Sequence, residues 1–301
     1  MSDRPDAPQA PGPRPPRVSV VVPAFRNADY IAATMDSVLA QTYPDLEVVV
    51  ADHSSTDGTW EILQRYAADP RVRLLRTPAG GGAKRNWDAV SREARGELLK
   101  LVCGDDLVRP TLVEEQVRAF DEGGEDVVLV ASQRDLVDAD GRVFVRGRGL
   151  AGLRGRLPGA QALRVTVRAG TNVFGEPACV LLRRSALEAA GWWDDTSPYY
   201  IDAGTYARVL VQGDFVPVRR SLAAFRVSAS QWSVRLMRDQ ARQAAVFHRS
   251  ARALAPEAVS AADVRRGDAL AQVAALQRRA AYLVLGRRMR PRAGAGAAAS
   301  A

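Results

Sequence analysis

Four short apolar runs, each followed by a segment with helical spacing, constrain the fold of this chain more than any other feature. Val18 to Val22 is a β-branched run, Leu46 to Ala51, Val72 to Leu75 and Leu98 to Val102 are further strand-length runs, and the first, second and fourth are close to continuously apolar. A strand with apolar residues at successive positions must bury both faces, which is the signature of a parallel sheet covered by helices. Between the runs, Tyr30 to Leu39 places Ile31, Met35, Val38 and Leu39 on one face. Asp57 to Tyr66 and Ala83 to Ala94 read as further helices, and Pro110 opens another that reaches about Phe120. Val127 to Ala131 is a fifth buried strand. This is an α/β pattern with a mostly parallel sheet and helices on both faces.

Beyond Arg134 the pattern loosens. Asp138 to Gly141 reads as a hairpin turn, and the Gly- and Arg-rich stretch Gly147 to Gly159 as a mobile loop. Helices are expected over Leu181 to Ala190, Ala203 to Gln212 and Gln231 to Leu254, with Cys179 to Leu182 also apolar enough for a strand. Ala258 to Leu285 reads as a last long helix broken near Gly267. The expected organisation is a disordered proline-rich lead-in over 1–17, a catalytic-type domain over 18–230 split at 132/133, a basic helical extension over 231–290, and a disordered tail over 291–301.

With 301 residues, the chain can bury a sizeable core. Its two cysteines, Cys103 and Cys179, and two histidines, His53 and His248, cannot build a zinc cluster or a disulfide framework. Any metal must lean on carboxylates, so it is expected to be Mg2+ or Mn2+. No run of 18 apolar residues occurs, and the N-terminus has acids and prolines where a signal would be charged and then apolar. The expected location is the cytoplasm. Residues 219–292 hold 16 arginines against 4 acids. That imbalance is read as a solvated helix face, with peripheral contact at the inner face of the plasma membrane as the functional option.

In doubly wound sheets, ligands sit beyond the carboxyl ends of the strands. Three segments lie there. In VVVADHSSTDGT (48–59), Asp52 is a fixed acceptor for base or ribose donors, while Ser55, Thr56 or Asp57 could simply cap the next helix. In LLKLVCGDDLVRP (98–110), the adjacent carboxylates Asp105 and Asp106 repel unless a cation is shared; the alternative is an exposed Asp-Asp turn. In GGGAKRNWDAV (80–90), three glycines precede Lys84 and Arg85 at a helix start, a weak signal for diphosphate. Neither a P-loop nor a dinucleotide fingerprint is present.

Taken in order, VSVVVPAFRNADYIAATMDSVLAQTY, VVVADHSSTDGT and AKRNWDAVSREARGELLKLVCGDDLVRP resemble the family-2 glycosyltransferases, which have the GT-A fold and invert the anomeric centre. The resemblance covers roughly 18–230 and is strongest over 18–112. It implies that Pro23, Ala24 and Phe25 flank the nucleotide base and that Asp52 reads it. Arg85 and Asn86 match a pair opening the helix before the metal strand. Asp105 and Asp106 divide ribose contact and metal binding, so Asp105 is carried in both roles. Cys103 stands where the family often has another acid, which implies weak metal binding without donor. His53 replaces a frequent second aspartate and is read as a packed neighbour of Asp52; His248 is read as surface.

GWWDDTSPYYIDAGTYARVLVQGDF (191–215) resembles the family's acceptor region, with Asp202 as the catalytic base. A helix cap is the plainer reading of Asp202, and Asp194 and Asp195 are rival bases. Glu176, Trp192 and Trp193 are the acceptor-side candidates, with Tyr199 and Tyr200 as further apolar wall; plain core is the alternative for the tryptophans. Arg226 or Trp232 would close over the donor, and the histidine common near Ser228 is absent. The resemblance therefore implies metal-dependent transfer of a sugar from a UDP-, GDP- or dTDP-linked donor to a hydroxyl of a saccharide or lipid-linked acceptor, in cell-surface or exopolysaccharide assembly. No nucleic-acid partner is expected on this reading. The alternatives are an RNA- or membrane-binding module built on the basic C-terminal third, a sugar-phosphate nucleotidyltransferase, or a scaffold that has kept the fold without the chemistry.

Overall fold

A computed structural model describes residues 14–229, 239–286 and 288–289. The lead-in over 1–13, the tail over 290–301 and Trp232 lie outside the described residues.

The first half alternates as the sequence predicts. It comprises β1 (Val18–Ala24), α1 (Ile31–Leu39), β2 (Leu46–Asp52), α2 (Thr59–Gln64), β3 (Val72–Arg76), α3 (Gly82–Arg92), β4 (Leu98–Leu101), a two-residue β5 (Leu107–Val108), α4 (Leu112–Gly123) and β6 (Val127–Val137). There follow β7 (Val143–Arg148), β8 (Leu157–Pro158), α5 (Gly159–Ala169), β9 (Val180–Arg183), α6 (Arg184–Ala189), α7 (Ile201–Leu210), β10 (Asp214–Arg226), α8 (Gln240–Leu254) and α9 (Ala261–Leu285).

One ten-stranded sheet runs β3-β2-β1-β4-β9-β6-β10-β5, with β7 on β6 and β8 on β10. β1 pairs in parallel with β2 (Val18 opposite Leu46, Ala24 opposite Asp52) and with β4 (Val18 opposite Leu98). All seven β1 residues are buried, so both faces of the sheet are covered there. β9 lies antiparallel to both β4 and β6, and β10 is parallel to β6. Six of the ten strands therefore point the same way, and the result is a mixed GT-A-type sheet.

Four local expectations change. The helix expected from Leu181 begins only at Arg184, because Val180 to Leu182 are buried at mid-sheet between β4 and β6. The glycine-rich stretch 147–159 is anchored: Leu150 and Leu153 are fully buried, and the Leu150 N–H donates to Val173 O at 2.7 Å. α9 runs unbroken through Gly267. That glycine permits close approach, since a Cβ there would lie 2.2 Å from Val167 O on α5. His248, read as surface, is buried on α8 with Nδ1 2.7 Å from Asp268 Oδ1 on α9, and burial pushes its pKa down.

Lys100 is a fully buried lysine in the middle of the sheet. Its ammonium donates to Ala178 O at 2.9 Å and Val180 O at 3.0 Å, tying β4 to the 3-10 turn Pro177–Cys179. Desolvation brings its pKa down to about 7.

Gly267→Ala separates two opposing effects. Helix propensity alone favours alanine by about 1 kcal/mol. The methyl must nonetheless displace a backbone carbonyl, so the variant is expected to have a lower melting temperature than wild type and faster proteolysis of the C-terminal helices; a raised melting temperature would exclude the close approach.

Candidate active site

The sheet order reverses direction at β1: the chain builds β2 and β3 on one side and then returns to place β4 on the other. The crevice beyond the carboxyl ends of β1 and β4 is thus the ligand position for a sheet of this kind. The loops leaving the two strands touch there. Gly104 lies so close to Asn27 that a Cβ would stand 2.7 Å from its Oδ1.

Asp52 ends β2 beside this crevice and is fully buried. Its Oδ2 accepts the Ser55 N–H at 3.2 Å and lies 3.4 Å from Arg76 Nε. Its Oδ1 has no hydrogen-bond partner among the described residues. A buried acceptor left open costs free energy until a donor fills it. Phe25, at the mouth of the same crevice, is 47% exposed and meets His53 edge-on at 5.9 Å. Pro23 and Ala24 are buried strand residues beneath it. An open acceptor beside an exposed ring is chemically suited to a nucleobase.

His53 is structural, as read: Nδ1 lies 2.7 Å from Thr77 Oγ1 and Nε2 2.9 Å from Gly80 O. Asn86 binds the strand ends together, its Nδ2 donating to Ala24 O and Ala51 O at 3.3 and 3.2 Å. Arg85 is exposed on the first turn of α3, with Nη1 3.5 Å from Ala79 O.

Asp105 and Asp106 follow β4. Asp106 is buried; its Oδ1 accepts the Arg226 N–H at 3.1 Å and its carbonyl accepts the Thr34 hydroxyl. Burial and then the adjacent Asp105 carboxylate push its pKa well up. Asp105 is the more exposed of the pair. Arg226 is itself buried. Its Nε donates to Asp105 O, its Nη1 to Ala139 O, and its guanidinium stacks 4.6 Å from the Tyr30 ring centroid. It braces the acid loop from within the protein, which differs from the lid role considered for it.

The described residues contain no cluster of three or more His, Cys, Asp or Glu side chains able to hold a metal by themselves. Two adjacent hard carboxylates do fit a magnesium-type ion whose remaining ligands come from a diphosphate and water. Cys103 supplies no such ligand, because burial holds its thiol protonated and the charges of Asp106, Asp105, Asp202 and Glu176 push its pKa further up.

Asp202 stands in the first turn of α7. Its Oδ1 accepts the Ala203 N–H at 2.7 Å and its Oδ2 accepts Asn172 Nδ2 at 2.8 Å. Burial raises its pKa to about 7; the Glu176 carboxylate adds to the rise, while Ala203, Asn172 and Arg134 oppose it. Glu176 pairs with buried Arg134 of β6, whose Nη2 donates to Oε1 at 2.9 Å. The rival Asp194 is committed elsewhere. Burial would raise its pKa, but hydrogen bonds from Thr196 and the nearby Arg208 hold it below the ordinary value. Asp195 is exposed.

Trp192 and Trp193 are buried against α3, as the plainer reading had it. The Trp193 indole donates to Ser91 Oγ at 2.9 Å, and Arg92 stacks over Trp192 at 4.8 Å. That placement gives no support to an acceptor role. Tyr200 is core, stacked on Phe247. Sequence reading missed Arg134 and Asn172. The available signals were an Arg-Asp pair inside a β-rich run that continues to Val137 and an amide four residues before Glu176.

Asp202 also gives a signed stability effect. Its folded pKa lies above the unfolded carboxylate value, so its contribution is fully present below about pH 4 and is lost as pH rises through about 7. Asp202→Asn is therefore expected to melt higher than wild type at pH 8, with the gap closing at pH 5 in parallel scanning calorimetry.

The description Glycosyl transferase family 2 matches residues 19–191. A hyaluronan synthase of Pasteurella multocida is 36% identical over 135 residues, covering 44% of this chain but only 14% of that protein. An uncharacterized protein of Mycobacterium tuberculosis is 29% identical over 231 residues, or 75% of this chain and 72% of the other. Among solved structures, a mannosyltransferase of Pyrobaculum calidifontis in complex with GDP-Man and Mn2+ superposes with a TM-score of 0.61 at 21% identity, over 91% of this chain and 80% of that one. The match to 19–191 spans more than half of the sequence, and the chain belongs to glycosyl transferase family 2.

Proposed function

We propose that the chain transfers a sugar from a nucleoside-diphosphate donor to a hydroxyl of a saccharide or lipid-linked acceptor, with inversion at the anomeric carbon. The observation that carries this reading is the buried Asp52 with its open Oδ1 at the end of β2, on the same sheet edge as the Asp105–Asp106 turn that follows β4. The ligands of the Pyrobaculum enzyme, GDP-Man and Mn2+, support a donor of this class, and the hyaluronan synthase supports a polysaccharide product.

In this mechanism, Asp52 accepts a hydrogen bond from the base, and Phe25 lies against its face. Asp105 and Asp106 would hold Mg2+ or Mn2+, and the bound ion would offset charge on the leaving diphosphate. Asp202 takes the proton from the acceptor hydroxyl as its oxygen attacks the anomeric carbon. The bond from that carbon to the phosphate oxygen breaks, and the electron pair leaves with the nucleoside diphosphate. A single displacement with one base and no enzyme nucleophile inverts the centre. A pKa near 7 suits this base, since it is ionised at working pH yet basic enough to accept a proton.

Two measurements check the reading. Turnover is expected to rise with pH through about 7, and Asp202→Asn to lose it by about 10²-fold or more while donor binding stays intact. Stabilisation by UDP or GDP in a thermal-shift assay is expected to need Mn2+ and to vanish in Asp105→Asn/Asp106→Asn. Normal turnover in Asp202→Asn removes that residue from the chemistry.

α9 supports the peripheral membrane option. Leu270, Val273 and Leu276 are exposed there alongside exposed Arg265, Arg266 and Arg279. Co-sedimentation with phosphatidylglycerol vesicles, lost at high salt and absent with phosphatidylcholine, is the expected result.

A further inference from the structure

The acceptor side of this rim carries more positive charge than its carboxylates neutralise. Arg134 and Arg148 are directly opposite each other on the antiparallel β6–β7 pair, so their side chains leave the same face of the sheet. Arg134 is buried and committed to Glu176. Arg148 is exposed, and its guanidinium has no hydrogen-bond or ion-pair partner among the described residues. A third guanidinium arrives from α9: Arg278 Nη1 donates to the Tyr199 hydroxyl at 2.9 Å, and the Arg278 guanidinium lies 5.6 Å from the ring centroid. The charges of Arg134, Glu176, Arg278 and Tyr199 all act on Arg148, consistent with the Arg134–Glu176 and Arg278–Tyr199 pairs lying on its side of the sheet. Although the side chain keeps access to solvent, partial desolvation first, and then the Arg134 and Arg278 charges, push Arg148 below its ordinary pKa. Three cations thus stand near two carboxylates, Glu176 and Asp202, and Tyr199 is three residues before Asp202.

We infer that Arg148 and Arg278, with the Tyr199 hydroxyl, form a subsite for an oxyanion carried by the acceptor, a phosphate or a uronate carboxylate. The planar donor fork of arginine suits either group, and an anion here would relieve the repulsion among the guanidinium groups. Arg278 donates to the phenol oxygen, which leaves the Tyr199 O–H free to donate to the anion. An acceptor anchored by this charge would present a neighbouring hydroxyl to Asp202. The inference rests on Asp202 being the base of a transferase.

The test titrates methyl phosphate and methyl β-glucuronide, with methyl β-glucoside as the neutral control, by ligand-observed NMR. At least one oxyanion is expected to bind and the neutral glycoside not, and the anion that binds distinguishes phosphate from carboxylate. Arg148→Gln is expected to weaken that binding by about tenfold, the scale of one charge-assisted hydrogen bond. Arg148→Lys should keep part of the affinity, and Arg265→Gln on the outer face of α9 all of it. Equal binding of the neutral glycoside, or unchanged affinity in Arg148→Gln, overturns the subsite. Because Arg148 is exposed, unaltered circular dichroism will show that Arg148→Gln is folded. Binding of UDP or GDP with Mn2+ and sugar transfer, measured on the same proteins, separate the two failures. A wild type that transfers sugar but shows no Arg148-dependent anion binding loses only the subsite. Anion binding without any transfer loses the transferase reading.

Discussion

The parallel pairing of β1 with β2 on one side and β4 on the other is the constraint on which the rest depends. It aligns the carboxyl ends of three strands, so that Asp52 and the Asp105–Asp106 turn emerge at one rim although 52 residues separate Asp52 from Asp105. The loops then lock against each other through the glycine contact at Asn27 and through Asn86, which reaches two strand ends at once. Without that lock, the acids would sit on separately moving loops.

The second half of the sheet supplies electrostatics where the first supplies position. β9 enters antiparallel between β4 and β6, and the turn before it holds Glu176 against Arg134. Lys100 fastens this turn from inside the sheet, and Arg226 fastens the Asp105–Asp106 loop from the opposite edge. The resulting rim holds several carboxylates under partial burial, an arrangement that opposes stability and raises Asp202 toward neutrality. The Oδ1 of Asp52, buried with no partner among the described residues, opposes stability in the same way.

The C-terminal helices are joined to this core by close backbone contact. Gly170 and Gly267 let α5 and α9 approach within the space a methyl would take, and the buried His248–Asp268 pair joins α8 to α9. This docking brings Arg278 from the basic third of the chain to Tyr199, three residues before Asp202. Part of the arginine excess therefore serves the rim, while Arg265, Arg266 and Arg279 stay exposed on α9.

The sequence by itself determined the fold class of the first half and the positions of Asp52, Asp105, Asp106 and Asp202. Fully apolar strand runs and the polar segments that end them are local signals, set by what each few residues must bury. The roles of Trp192 and Trp193, the brace formed by Arg226, the burial of His248, the central place of β9 and the pairing of Arg134 with Glu176 were decided only in three dimensions. Each depends on a partner 40 or more residues away or on another helix or strand, except the His248–Asp268 pair, where the partner is 20 residues away on the next helix. A side chain's burial and charge partners are properties of the packed whole, and no local pattern encodes them. The same holds for Asp202: its sequence position marks a helix start, and only desolvation by the assembled core raises its pKa to about 7.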